Sequence, residues 1–130
     1  MNYQKILNEG NKFLKINKIK SSKIDSELLL SKVLKESREE ILTNLNNKID
    51  KKKFNEFNYY LFRRKKNEPI AYILGFKYFW KYNFIVNKSV LIPRPDTEHI
   101  VEETLKYIPI NKSINILEIG TGSGCIIISI

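Results

Sequence analysis

Apolar positions in residues 1–66 recur at three- and four-residue spacing. Tyr3, Ile6, Leu7, Gly10, Phe13 and Leu14 fall on one stripe of a helix. Gly10 weakens that helix by about 1 kcal/mol relative to alanine. A second helix is predicted over 23–34, with Ser22 as N-cap and Ile24, Leu28, Leu29, Val33 and Leu34 turned inward. A short third helix covers 38–44. Asp50 caps a fourth, which buries Phe54, Phe57, Leu61 and Tyr60 and ends in Arg63, Arg64, Lys65 and Lys66, favourable charges at a helix C-terminus. No strand pattern occurs in this stretch, so a small helical bundle is expected.

The pattern changes at Gly75. Residues 76–80 and 84–86 read as aromatic, β-branched strands, with Lys81, Tyr82 and Asn83 as the turn. The LIPRPD segment follows, and the residue before each proline is forced out of the helical region, so Ile92 and Arg94 are extended. Asp96 is the expected cap of a further helix, with Glu98 in its first turn and Ile100, Val101, Thr104, Leu105 and Ile108 on its apolar face. Pro109 ends it, and Asn111, Lys112 and Ser113 read as a polar loop. Residues 114–119 read as a short buried strand of a parallel sheet, and a helix begins at Ser123. Strand, glycine loop and helix together are the opening of a doubly wound α/β domain. The fold class is α plus α/β: a helical bundle over 1–74, a β-hairpin and proline-rich connector over 75–95, and over 96–130 the first strand and loop of an α/β domain.

Composition narrows the setting. Apolar residues make up 42% of the chain and charged residues 28%, as in soluble globular proteins. No apolar run approaches the roughly 18 residues of a membrane span, and the N-terminus has no apolar core like that of a secretion signal. One cysteine, Cys125, excludes an internal disulfide and suits a reducing cytoplasm. The net charge of +9 is uneven: through Glu68 there are 17 Lys and Arg against 9 Asp and Glu, a surplus of +8. Such a surplus steers toward nucleic acid or an acidic protein partner. It is equally the mark of an AT-rich genome, whose codons favour Lys, Asn and Ile. His99 is the only histidine, so no histidine-based metal cluster forms, and it lies opposite the apolar stripe of its helix. Cys125 reads as a small packing residue. Tyr78, Phe79, Trp80, Tyr82 and Phe84 read as a hairpin core rather than as stacking platforms for bases.

The glycine loop carries the chemistry. Glu118, Ile119, Gly120, Thr121, Gly122, Ser123 and Gly124 place glycines at the first, third and fifth positions. A dinucleotide fingerprint needs its third glycine at the sixth position, occupied here by Cys125, and a phosphate loop needs a lysine that is absent. The spacing instead resembles the acid-x-G-x-G-x-G pattern of S-adenosylmethionine-dependent methyltransferases. Glycine lets the backbone turn sharply and approach a ligand closely. Free N–H groups at a helix start favour a carboxylate, and Glu118 offers negative charge near an ammonium or sulfonium.

EPIAYILG, then Phe79-Trp80, Phe84 and Val86 followed by LIPRPDTE with Val101-Glu102, and then ILEIGTGSG, in this order, resemble the family of protein-(glutamine-N5) methyltransferases that act on peptide chain release factors. DSELLLSKVL, SREE and FRRKKNEPIAYILG resemble its helical N-terminal domain. The resemblance runs from about Lys23 onward and implies a Rossmann-like class I domain. It implies methyl transfer from S-adenosyl-L-methionine to the amide nitrogen of the glutamine in a GGQ motif, with release factors as partners. Gly120, Thr121, Gly122, Ser123 and Gly124 would line the cofactor site with Glu118 beside them, and Pro93, Arg94 and Thr97 would form its connector wall. The family's ribose-binding acid and its N-P-P-Y segment have no counterpart in these 130 residues. The expectation is therefore a monomeric, cytoplasmic chain, truncated after the first cofactor motif, that does not catalyse alone and whose residues 113–130 are poorly protected from hydrogen exchange. Two other readings stay open: a fragment of an adenine-N6 or RNA methyltransferase, and a non-catalytic binding module.

Overall fold

A computed structural model of the chain describes residues 1–109 and 113–130. They divide into two compact units, Met1–Leu74 and Gly75–Ile130.

In the first unit the N-terminal stripe forms α1 (Tyr3–Ile16), buried along Tyr3, Ile6, Leu7, Gly10 and Leu14 and capped by the Asn2 side chain. It packs against α2 (Ser22–Leu34), with α3 (Arg38–Thr43), α4 (Lys51–Lys65) and the short α5 (Ile70–Leu74) completing the unit. Asp50 caps α4 as expected, accepting the Lys53 N–H at 2.8 Å. Ser37 and Glu40 cap the start of α3 reciprocally. The Ser37 backbone N–H, followed by its hydroxyl, holds the Glu40 carboxyl below its usual range. The helix α5, following Pro69 and ending before Gly75, was not anticipated from the apolar pattern.

The inward face of α2 differs from the predicted one. Ile24 is exposed, Leu28 is half-buried, and Asp25, Ser26 and Glu27 are buried beside Leu29, Leu30, Val33 and Leu34. Ser22 lies inside the first turn, and the N-cap is Ser21. Buried carboxylates are stable only when paired, and both have cations. Arg64 of α4 donates through Nε to Asp25 Oδ2 at 2.7 Å, where the Ser21 hydroxyl also donates at 2.8 Å. Arg38 of α3 donates to Glu27 at 2.5 Å. Neighbouring Arg63 is held by a two-pronged bond to Glu68, which raises its pKa. Two residues of the basic run therefore serve the fold.

Close approach of the helices rests on Gly10. A Cβ there would lie 2.5 Å from Ser26 Oγ and 2.8 Å from Phe57 Cζ. The glycine that weakens α1 locally thus lets α2 and α4 reach it. Three joints of the unit pass through left-handed residues that are not glycine: Lys18 (φ 62°), Lys35 (φ 59°) and Asn67 (φ 60°).

In the second unit, Gly75 (φ +89°) leads into an antiparallel hairpin of β1 (Phe76–Phe79) and β2 (Tyr82–Ile85). Phe79 pairs with Tyr82, so the loop is Trp80-Lys81 rather than the predicted Lys81-Tyr82-Asn83. A two-residue loop whose first residue has positive φ follows the natural strand twist, and Trp80 has φ 55°. The Glu98 carboxylate secures it by accepting the Trp80 N–H at 2.9 Å. One hairpin face buries Phe79 and Phe84, while Phe76, Tyr78 and Ile85 on the other are exposed.

Arg94 is extended, as the prolines require (φ −96°, ψ 139°). Asp96 does not cap the next helix: it lies within a 3-10 turn, Pro95–Thr97, because Pro95 already suits a first helical position. Helix α6 (Glu98–Tyr107) buries Val101, whereas Ile100 and Leu105 of its predicted apolar face are exposed. His99 is exposed, as predicted. Of the predicted polar loop, Asn111 and Lys112 lie outside the described residues.

Residues 114–119 are not a strand; Leu117 is 85% and Ile119 90% exposed. A strand exists only through its ladder, and the sheet among the described residues is the two-stranded β1–β2. The final helix, α7 (Cys125–Ser129), starts two residues later than Ser123. Cys125 packs with Phe79, Phe84 and Val101, joined by half-buried Trp80, Ile126 and Ile130.

Candidate functional site

The glycine loop turns on backbone conformation. Gly120 (φ +78°) and Gly122 (φ +57°) occupy the left-handed region that side chains rarely adopt. A Cβ on Gly120 would meet nothing within 4 Å, so conformation and open space, not a protein neighbour, call for glycine there.

The loop forms one side of a cavity of about 150 Å³. Eight of the nine residues singled out in the sequence line it: Glu118, Gly120, Thr121, Gly122 and Ser123 from the loop, with Pro93, Arg94 and Thr97 from the connector. These two segments are brought together from opposite ends of α6. Gly124 is not on the lining; it is buried, donates its N–H to the Thr121 carbonyl at 2.9 Å and caps α7. Leu91, Ile92, Cys125 and Ile126 also line the cavity and were missed. Leu91 and Ile92 belong to LIPRPD itself and Cys125 and Ile126 follow the loop directly, and that placement was the available signal.

One atom in this wall lacks a counterpart. Glu118 Oε2 is shielded from solvent and has no hydrogen-bond partner among the described residues. Leaving a buried polar atom unpaired costs about 1–3 kcal/mol, more for a charge, and such atoms in folded proteins call for an explanation. Here the carboxylate belongs to a residue facing the cavity. The arrangement can receive a donor or cation at Glu118, beside a backbone that admits close approach.

Among the described residues, no group of three His, Cys, Asp or Glu is placed to hold a metal, and no helix is long and apolar enough to cross a membrane.

The family model described as PrmC N-terminal domain matches residues 5–75. A release factor glutamine methyltransferase of Coxiella burnetii is 43% identical over 111 residues, covering 85% of this chain and 40% of the relative. The enzyme of that name from Leptospira interrogans is 38% identical over 126 residues, covering 96% of this chain and 44% of the relative. One from Buchnera aphidicola of Schizaphis graminum is 40% identical over 117 residues, covering 89% of this chain and 42% of the relative. The chain thus spans about two fifths of the relatives it matches. With the family model covering more than half of its residues and the Leptospira relative aligned with 96% of it, the chain belongs to the PrmC N-terminal domain family, that of the release factor glutamine methyltransferases.

Proposed function

We propose that the chain supplies the helical recognition unit and the glycine-loop side of the cofactor site of a cytoplasmic S-adenosylmethionine-dependent methyltransferase. Its acceptor is the side-chain amide nitrogen of the GGQ glutamine in peptide chain release factors. The observation that carries the cofactor site is the unpartnered Glu118 oxygen in a cavity shared by the glycine loop and the IPRPDTE connector, and the acceptor follows the names of the relatives.

The residues fit the group. S-adenosylmethionine, when bound, supplies an electrophilic methyl on a sulfonium. Glu118 accepts from a cationic or N–H group of that ligand, and Gly120 and Gly122 let their backbone come near it without a Cβ between. Pro93, Arg94 and Thr97 form the facing wall, of which Pro93 is buried. The cavity is half of the roughly 300 Å³ at the lower end of small-molecule sites, so these segments hold one end of the ligand. An amide nitrogen is a weak nucleophile, and orientation and desolvation must supply much of its reactivity. The N-P-P-Y segment that would orient it is not among these 130 residues, so the chain's share is binding rather than transfer.

Radioactive methyl transfer to a GGQ peptide or intact release factor tests this. The chain alone is expected to transfer nothing. Co-expression with a segment bearing an acidic strand end and N-P-P-Y is expected to restore transfer, and Glu118→Gln to reduce it about tenfold in the restored system. Restored transfer insensitive to Glu118→Gln would remove Glu118 from the site, and no transfer in any combination would remove the enzyme reading.

One observation favours a second reading. Lys15, Lys18, Lys20 and Lys23 line a single open concavity at the α1–α2 turn, with no acidic residue on its lining. A phosphate backbone bound there would lose affinity with salt at a logarithmic slope of about −0.7 per phosphate neutralised on a single strand, near −3 for four lysines. Weak binding with a flat salt response would end the nucleic-acid reading.

A further inference from the structure

Glu98 does two things that its place at the start of α6 does not require. It follows directly on Thr97, a wall residue of the candidate cavity, and it reaches back to accept the Trp80 N–H at 2.9 Å across 18 positions of sequence. Trp80 is the first residue of the hairpin loop and is held at φ 55°. A bulky side chain in this region is strained, and such strain persists only where surroundings enforce it.

What depends on this tie is the seat of α7. Cys125 of that helix shares one buried cluster with Phe79 and Phe84 of the hairpin and Val101 of α6, and Ile126, the C-cap Ile130 and Trp80 pack against the same cluster. The glycine loop ends at Gly124, the residue that caps α7. The position of the loop therefore follows how α7 seats on α6 and on the cluster it shares with the hairpin, and the hairpin tip is fixed to α6 by the Glu98–Trp80 bond. The geometry points to Glu98 as a positioning residue that couples the hairpin tip to the glycine loop, so that the connector wall and the loop face one cavity. The role rests on the reading of that cavity as the cofactor site.

Trp80 is the only tryptophan, so its emission reports on the hairpin tip alone. The test uses the full chain, Glu98→Ala and Glu98→Gln, with helical content checked by circular dichroism. Backbone amide spectra of Gly120, Gly122 and Gly124 are recorded during titration with S-adenosylhomocysteine. Glu98→Ala is expected to move the Trp80 emission to longer wavelength, shift the three glycine amides and weaken S-adenosylhomocysteine about tenfold. Glu98→Gln keeps an oxygen that accepts the same N–H and is expected to restore all three readouts to within about twofold of the unmodified chain, a rescue that a requirement for charge would not give. Glycine amides and affinity unchanged in Glu98→Ala would overturn the proposal, as would a Glu98→Gln variant as impaired as Glu98→Ala. If the unmodified chain ignores S-adenosylhomocysteine, the cofactor reading fails and takes the positioning role with it; amides still shifted by Glu98→Ala distinguish this from an absent coupling.

Discussion

Replacing Arg64 with alanine is expected to destabilise the helical unit by about 3 kcal/mol, at the low end for removing one partner of a buried pair. Asp25 is 2% exposed, and Arg64 Nε donates to it at 2.7 Å. Without the guanidinium, the carboxylate keeps the Ser21 hydroxyl and loses its counter-charge. Arg64 also donates to the Glu68 carbonyl at 3.1 Å, a second bond lost with it. The pair itself need not add much, because a hydrophobic replacement of both partners is often neutral. The double variant Asp25→Asn, Arg64→Met is therefore expected to lose only about 1 kcal/mol, roughly one net hydrogen bond. Urea unfolding followed at 222 nm measures both. A double variant as unstable as the sum of its single changes would show that the two side chains are not coupled.

Gly10→Ala is expected to destabilise by up to about 2 kcal/mol, although alanine is the better helix former. Helix propensity favours the change by about 1 kcal/mol, and overpacking opposes it by about 1–3 kcal/mol. The contacts decide the sign. The new Cβ would stand 2.5 Å from Ser26 Oγ and 2.8 Å from Phe57 Cζ, and both residues are 1% exposed. Ser26 cannot swing aside freely, since its hydroxyl donates to the Leu7 carbonyl at 3.3 Å. Adding Phe57→Leu removes ring atoms from the clash, so the double variant should lose less than the two single costs combined. An unfolding midpoint for Gly10→Ala at or above that of the unmodified chain would defeat this account.

The sequence was most legible where local pattern and final packing agree. The α1 stripe is such a case, because one helical period decides both which residues form the helix and which are buried. On α2 the same rule misled: Ile24 is outside and Asp25 inside, because Arg64, 39 residues away, is folded against it. Apolar periodicity carries no information about a distant cation. The hairpin register was missed by a different route. Strand propensity carried the first strand through Trp80 and so pushed the turn on to Tyr82, while the loop is anchored by Glu98, 18 residues beyond Trp80. Residues 114–119 show the limit of local pattern: their apolar run asks for a strand, and a ladder comes only from other strands. The glycine loop and IPRPDTE connector were legible as chemistry because both are continuous in sequence. Their meeting at one cavity depended on α6 between them.

The left-handed joints of the helical unit bear on where its stability can be raised. Lys18 and Lys35 carry side chains in a conformation that costs an ordinary residue about 1–2 kcal/mol. Glycine escapes that cost but leaves the unfolded chain looser, an offset of about 0.5–1 kcal/mol. The balance favours glycine at both places. The unit's headroom therefore lies in its corners: its thermal ceiling can rise by changes at two surface lysines that touch neither the buried ion pair nor the close helix crossing at Gly10.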